Sequence, residues 1–400
     1  MISRLLRRTL FALAAATPLA APAAAADALR AEIAYVTRAA PPPIPLSLLE
    51  PVAEDLGVQG ARLGLADNAT TGSFLGHDYA LKEVVIPEDG RLAETVKPVL
   101  AEGTRLIVAD LKAPDLLALA DLPAAREAII INARARDDRL RNAACRDNVL
   151  HVMPSRAMRA DALAQYLRRK RWDDWFLAVG QSEADARFAE AVRRAAKRYG
   201  AEIAIEKTWT FDPANRRDES GHVLVQQQVS SFTRVGDYDI LVVADEANVF
   251  GAYLPHRTAR PRPVAGTQGL VPITWSRVHE QWGGTQLQGR FEDQAGRYMT
   301  ARDYANWLAV RAFGEAVTRT DSAAPRRLEA YIRSADFRLQ GFKGLALTFR
   351  SWNGQLRQPI LLAGPRMLVS VSPQPGFLHE RTELDTLGYD RGDSACDLDS

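Results

Sequence analysis

The chain is poor in the residues that usually carry chemistry. It has two cysteines and six histidines in 400 residues. No CxxC pair and no His/Cys cluster at ligand spacing is present, which excludes the common structural zinc sites. A G-x-S-x-G elbow, a phosphate-binding P-loop and an H-E-x-x-H helix are likewise missing. His279-Glu280 is an isolated dipeptide, and Asp137-Asp138 are adjacent in a loop, where aiming both at one substrate would be accidental. An enzyme is therefore not expected. There is no tandem repeat of the kind that builds a solenoid. Beyond the first 26 residues no run is long and apolar enough to span a bilayer.

Those first residues form a leader. Arg4, Arg7 and Arg8 make a basic start, Leu10 to Ala20 is apolar, and Ala24-Ala25-Ala26 gives a small-residue cleavage pattern before Asp27. The apolar run is short and interrupted by Pro18 and Pro22, so a cleaved export signal is expected rather than an anchor. Cleavage near Ala26, with no lipobox cysteine following, predicts a protein free in the periplasm. Three arginines leave with the leader, taking the formal charge from +2 to about −1. A near-neutral chain argues against nucleic acid or an anionic membrane surface as partner. Cys145 and Cys396, an even pair in an oxidising compartment, are expected to form one disulfide tying the C-terminus to the first half. Chain-entropy models give so long a loop roughly 5 kcal/mol, an upper figure.

Hydrophobic residues at 47% and charged residues at 25% are ordinary for a globular chain, and the length suggests two domains. The pattern is a recurring unit of apolar run, polar loop and helix. Thr104 to Pro114 (TRLIVADLKAP) shows it best: Leu106 to Ala109 suits a strand buried on both faces, and Pro114 opens a helix. Glu32–Val36, Leu81–Ile86 and Ala128–Ile131 read as further strands of the first half, with Val149–Met153 as a crossing strand. Leu48–Leu56 starts a helix that Gly57 and Gly60 interrupt before Ala61–Ala69, and Pro41-Pro42-Pro43 forms a loop. The pattern restarts with Ser155 as a helix cap, the strand Phe176–Val179, and a helix entered through Ser182 and Asp185 in a capping-box arrangement. Glu202–Trp209, Tyr238–Val243 and Pro263–Ala265 are its other strands. Ala301–Val317 is a long amphipathic helix, Asn353-Gly354 a hairpin tip, and Met367–Val371 the last strand. Strands alternating with helices predict an α/β chain of two lobes, each a doubly wound, mainly parallel sheet.

Ligands of such sheets sit beyond the carboxyl ends of the strands. In the first half those ends present cations: Arg38, Lys112, Arg134 and Arg136. In the second half Gln181, Ser182, Asp245, Glu246, Thr267 and Gln268 terminate strands, although Ser182 reads most simply as a cap. Asp67 and Asn68 read most simply as turn-forming residues.

Two α/β lobes behind a leader, with several crossings, resemble the type I periplasmic binding proteins, which include the leucine/isoleucine/valine receptors of ABC transporters. The resemblance implies lobe one at 27–152 and 273–340, lobe two at 153–272 and 341–365, and a tail, 366–400, returning to lobe one. Three stretches resemble a narrower branch: Ala61–Gly76 (ARLGLADNATTGSFLG), His279–Thr320 and Phe349–Ala363 (FRSWNGQLRQPILLA). This is the branch found beside pyrroloquinoline quinone (PQQ)-dependent alcohol dehydrogenases. It implies a monomeric receptor that closes on PQQ by a hinge and delivers it to an inner-membrane ABC permease. Two alternatives stay open: a receptor for amino acids or other small acids, and an accessory protein that docks on a PQQ-dependent dehydrogenase. PQQ would be a bound ligand, with no catalytic cofactor expected. A flat tricarboxylate suits guanidinium forks, and it wants a stacking ring, for which Trp275 at the probable crossing is the candidate. Lys112 is expected to reach the ligand, either by pairing with a carboxylate or by adding its amine to a quinone carbonyl.

Overall fold

The computed structural model describes residues 28–41, 53–210 and 223–398. The leader, the second and third prolines of the loop at 41–43 and the first part of the helix expected from Leu48 lie outside them. Lobe one begins with β1 (Leu29–Arg38), α1 (Val58–Leu75), β2 (His77–Ile86), α2 (Leu92–Ala101), β3 (Leu106–Asp110), α3 (Ala113–Ala120), β4 (Ile129–Asn132) and β5 (Val149–His151). The five strands form a parallel sheet in the order β2-β1-β3-β4-β5. Every residue of β3 is buried, as a strand covered by helices on both faces requires. The expected crossing strand at Val149 is thus first the fifth member of this sheet.

Lobe two follows with α4 (Arg156–Arg169), β6 (Asp174–Val179), α5 (Glu183–Tyr199), β7 (Glu202–Thr208), α6 (Val223–Phe232), β8 (Ile240–Ala244), α7 (Leu254–Arg257) and β9 (Val264–Gly266). Its parallel sheet runs β7-β6-β8-β9. The Ser182/Asp185 capping box opens α5, and Gly200 at φ 71° closes it.

The chain then crosses back through β10 (Val271–Ile273) to α8 (Gly284–Ala295), α9 (Ala301–Thr320) and α10 (Pro325–Arg333). Tyr304, Leu308, Ala312 and Ala316 of α9 enter the core of lobe one, together with Leu106 and Val108. α1 begins just after Gly57 and runs unbroken through Gly60. A Cβ on Gly60 would lie 1.9 Å from the Asp303 carbonyl oxygen, so this glycine lets α1 lie against α9 rather than breaking the helix.

Next come β11 (Leu339–Gln340), β12 (Ala346–Phe349) and β13 (Leu356–Arg357), an antiparallel sheet. Their Leu347, Phe349 and Leu356 pack in the lobe-one core, so the stretch expected in lobe two from residue 341 divides between the lobes. β14 (Ile360–Ala363) and β15 (Leu368–Ser372) pair with each other, and β14 pairs with β10. Ile360 and Leu362 join the lobe-two core. The tail stays on lobe two as far as Leu387 and only then passes to lobe one, later than expected. There Cys396 bonds to Cys145 across 251 residues of sequence.

Candidate functional site

The loops after β3 and β4 face the start of α5 and the loop after β8 across a cavity of about 750 Å³. The lobe-one wall is shaped by two buried polar side chains. Asn132, the last residue of β4, accepts the backbone N–H groups of Arg134 (3.1 Å) and Ala135 (2.8 Å). It donates to the Ala135 carbonyl at 2.8 Å. These bonds fix the turn that presents Arg134, Arg136 and Arg139 to the cleft. Asp110, the last residue of β3, is fully buried. Its carboxylate accepts from the Tyr35 hydroxyl at 2.6 Å and from Arg302 at 2.7–2.9 Å. Burial, reinforced by the Asp110 charge, pushes the Tyr35 phenol well up. For Arg302, burial works against the charged form, but the Asp110 carboxylate outweighs it and raises its pKa.

Arg134 is different. It is half-buried, its guanidinium makes one hydrogen bond among the described residues, 3.5 Å to the Asp110 carbonyl, and no carboxylate pairs with it there. Burial, and then the neighbouring Arg302 charge, lower its pKa. Lys112 and Arg139, exposed on the same wall, also have no acid partner among the described residues.

The lobe-two wall is ion-paired. The Glu246 side chain is 8% exposed. It accepts from Arg156 at 2.6 and 2.9 Å and from Arg159 at 2.9 Å, and Arg136 of lobe one approaches to 3.6 Å across the cleft. Asp137 of lobe one reaches Arg156 at 3.3 Å. Burial would raise the Glu246 pKa, but the Arg159, Arg136 and Arg156 guanidiniums overcome it and hold it below the usual carboxylate range. Burial, with Arg136 close by, lowers Arg159 to about 9. Glu183 is engaged by Arg187 one turn on, at 2.6 Å.

The structure therefore brings Lys112, Arg134, Arg136 and Glu246 together in the cleft and leaves the other expected residues outside its lining. Arg38 forks onto Asp115 at 2.7 and 2.8 Å and caps the carbonyls of Pro87, Glu88 and Gly90. It ties the end of β1 to α3. Gln181 is exposed after β6, and Ser182 caps α5. Asp245 accepts the backbone N–H groups of Val249, Phe250 and Gly251, shaping its own loop. Thr267 accepts from the Asp245 N–H, and Gln268 donates to Asn248. Trp275 is 1% exposed and stacks on Tyr304 at 4.8 Å inside lobe one, because the crossing chain turns its ring into the core rather than the cleft. Among the described residues, none that lines the cleft is aromatic. Asp67, read as a turn residue, lies within α1 and accepts from Trp307 at 2.9 Å.

Arg139, Arg156, Glu183, Arg187 and Arg302 line the cleft and were not singled out from sequence. Two of them had a signal. Arg156 is the first residue after the cap Ser155 and Arg302 the second after the cap Thr300, each at the end of a helix that meets the cleft. Thr300-x-x-Asp303 is a capping box visible in the sequence.

Searches for related proteins found no family model that matches the chain and no match among curated proteins. Solved structures do match. A branched-chain amino acid ABC transporter periplasmic ligand-binding protein from Burkholderia xenovorans LB400 aligns over 92% of this chain and 100% of its own, at 14% identity and TM-score 0.66. An ABC transporter substrate-binding protein from Sphaerobacter thermophilus aligns over 90% and 100%, at 15% identity and TM-score 0.67. A leucine-, isoleucine-, valine-, threonine- and alanine-binding protein from Brucella ovis, in its closed conformation, aligns over 92% and 96%, at 16% identity and TM-score 0.61. The fold is the two-lobed type I periplasmic binding fold. Among the described residues no helix is long and apolar enough to cross a membrane, and no group of His, Cys, Asp or Glu is placed to hold a metal.

Proposed function

We propose that this protein is a periplasmic solute-binding protein that captures a small polyanion, a di- or tricarboxylate, between its lobes and delivers it to an inner-membrane ABC permease. Arg134 carries the reading: a half-buried guanidinium with no acid partner among the described residues, beside Arg302 and flanked by Lys112 and Arg139. A partly desolvated cation is costly unless an anion completes it, and here that anion has to come from the ligand. The cleft's groups hold charge rather than perform chemistry, which favours binding over catalysis.

PQQ, with three carboxylates, fits this cation set by charge. With Trp275 in the core, a flat ring in the cleft would lie against guanidinium planes instead of an indole. The amino acid reading is favoured by the ligands in the names of the structural neighbours. An amino acid needs a free carboxylate for its ammonium, and Asp110, Glu183 and Glu246 are each already engaged by arginine. Calorimetric titration of the mature protein with PQQ, citrate and leucine tests the proposal. Binding of either anion without leucine is expected. Binding of leucine with neither anion would overturn it, and citrate binding without PQQ would retain the charge reading and remove the quinone.

A further inference from the structure

The last stretch of the chain crosses between the lobes beside the cleft. At its root, Gly388 donates its N–H to Asp161 at 2.8 Å and its carbonyl accepts from Arg194 (3.0 Å) and Arg198 (2.6 Å). Asp161 is a fully buried residue of α4, and neighbouring Leu387 is part of the lobe-two core. Arg350, in the crossing segment after β12, donates to Asp385 at 2.8 Å and also to the carbonyls of Leu384, Leu387 and Tyr389. At its far end Cys396 is bonded to Cys145 of lobe one. Ser394 donates to the Arg141 carbonyl at 2.9 Å and the Ala395 N–H to Asn142 at 2.7 Å.

Between these anchors Tyr389 lies under the Arg194 guanidinium at 4.2 Å. It helps wall a side chamber of about 200 Å³. Asp138, Arg139 and Asn142 face that chamber from lobe one, and Arg187 and Glu190 from lobe two. Arg139, Arg156 and Arg187 line both this chamber and the main cleft, so the segment runs along the flank of the ligand cavity.

We infer that Gly388–Cys396 is a covalent strap that limits how far the two lobes can separate and closes the side of the cleft. Seven residues lie between its anchors, and the eight steps from Gly388 to Cys396 span at most about 26–29 Å when fully extended. In the structure the middle is wound into a 3-10 turn at Arg391–Asp393, so lengthening the strap means melting that turn and then losing the Ser394 and Ala395 bonds. Peptide crossings alone permit hinge motion over a wide range. A side-mounted tether fixed at both ends resists opening progressively and then stops it.

Two variants of the full mature chain test this without any ligand, so the outcome is independent of the polyanion proposal. Cys145→Ser/Cys396→Ser releases the far anchor. Insertion of Gly-Ser-Gly-Ser between Gly392 and Asp393 keeps the disulfide and lengthens the strap. Small-angle scattering should show a larger radius of gyration for both than for the parent. Hydrogen exchange should quicken in the cleft loops 111–114, 134–139 and 182–187 while the two parallel sheets keep the parental rates. An insertion variant with the parental radius and parental loop exchange overturns the inference, because it alters only the tether's length. If only the serine variant changes, and its sheets exchange faster too, the bond serves stability rather than reach and the inference is also overturned.

Discussion

Arg134 and Arg302 are neighbours on one wall, yet their replacement should have opposite consequences. Arg302 neutralises a fully buried carboxylate, so Arg302→Gln leaves Asp110 with the neutral Tyr35 hydroxyl as its side-chain donor among the described residues. Breaking a buried pair costs about 3–5 kcal/mol, and with the Arg302 side chain 24% exposed the figure to expect is nearer 2–3 kcal/mol. Arg134 neutralises nothing, and the Arg302 charge works against it. Arg134→Gln should therefore leave the urea-unfolding free energy within about 0.5 kcal/mol of the parent, or above it. Binding should move the other way. Charge-assisted hydrogen bonds to a ligand carboxylate contribute about 1.5–3 kcal/mol, so the dissociation constant for the anion should rise about 10- to 150-fold. Titration calorimetry of both variants against the better binder of citrate and PQQ reads the effect, with urea denaturation run in parallel. Parental affinity in Arg134→Gln would refute the placement of the anion, and a loss of more than about 1 kcal/mol of stability would show that Arg134 has a structural partner after all.

Lys112→Ala should weaken the same anion, whereas Lys112→Arg should largely keep it; equal loss in both would indicate chemistry specific to an amine, read from the absorption spectrum with PQQ. Asp161→Asn removes the charge that Arg194 and Arg198 share and should cost about 3 kcal/mol in urea unfolding. Glu246 has a folded pKa below its unfolded value near 4.3, so its stabilisation is complete above that value and is lost as pH falls through the lower folded one. Acid unfolding of the parent below about pH 4 should accordingly be less steep in Glu246→Gln, followed by circular dichroism. Thiol titration of the denatured, unreduced protein should find no free thiol.

The sheets were legible because β3 and β8 are continuous apolar runs of the length that doubly covered strands need. The disulfide followed from an even cysteine count behind a leader that reads as an export signal. Strand ends located Lys112, Arg134 and Arg136, since the loops that leave a parallel sheet at its carboxyl edge face the ligand side. The same rule misplaced Arg38: β1 also ends at that edge, but Asp115 at the start of α3 captures its guanidinium. A pair separated by 77 residues has no local signature. Trp275 failed for a related reason, because the crossing segment chooses between cleft and core by packing with Tyr304 and Gln288, far along the chain. The boundary at residue 341 was missed because β12 and β13 pair with each other, yet bury their apolar side chains in lobe one.

Under the proposed function, the charges would also couple the cleft to closure of the lobes. Among the described residues, carboxylates pair with Arg302, Arg156, Arg159 and Arg187 and not with Lys112, Arg134 and Arg139. In an open cleft water solvates the second set at little cost. Drawing the lobes together removes that water, and the like charges then oppose closure unless an anion enters with it. The Arg136–Glu246 and Asp137–Arg156 pairs favour closure from opposite lobes, with the sign of the charge reversed between them. They lower the barrier to approach without supplying the missing counter-ions. A ligand bearing several carboxylates therefore has differential affinity for the closed form, which is the condition for it to shift the equilibrium. A neutral zwitterion brings one carboxylate and an ammonium that adds to the excess of positive charge, so it would close this cleft less completely.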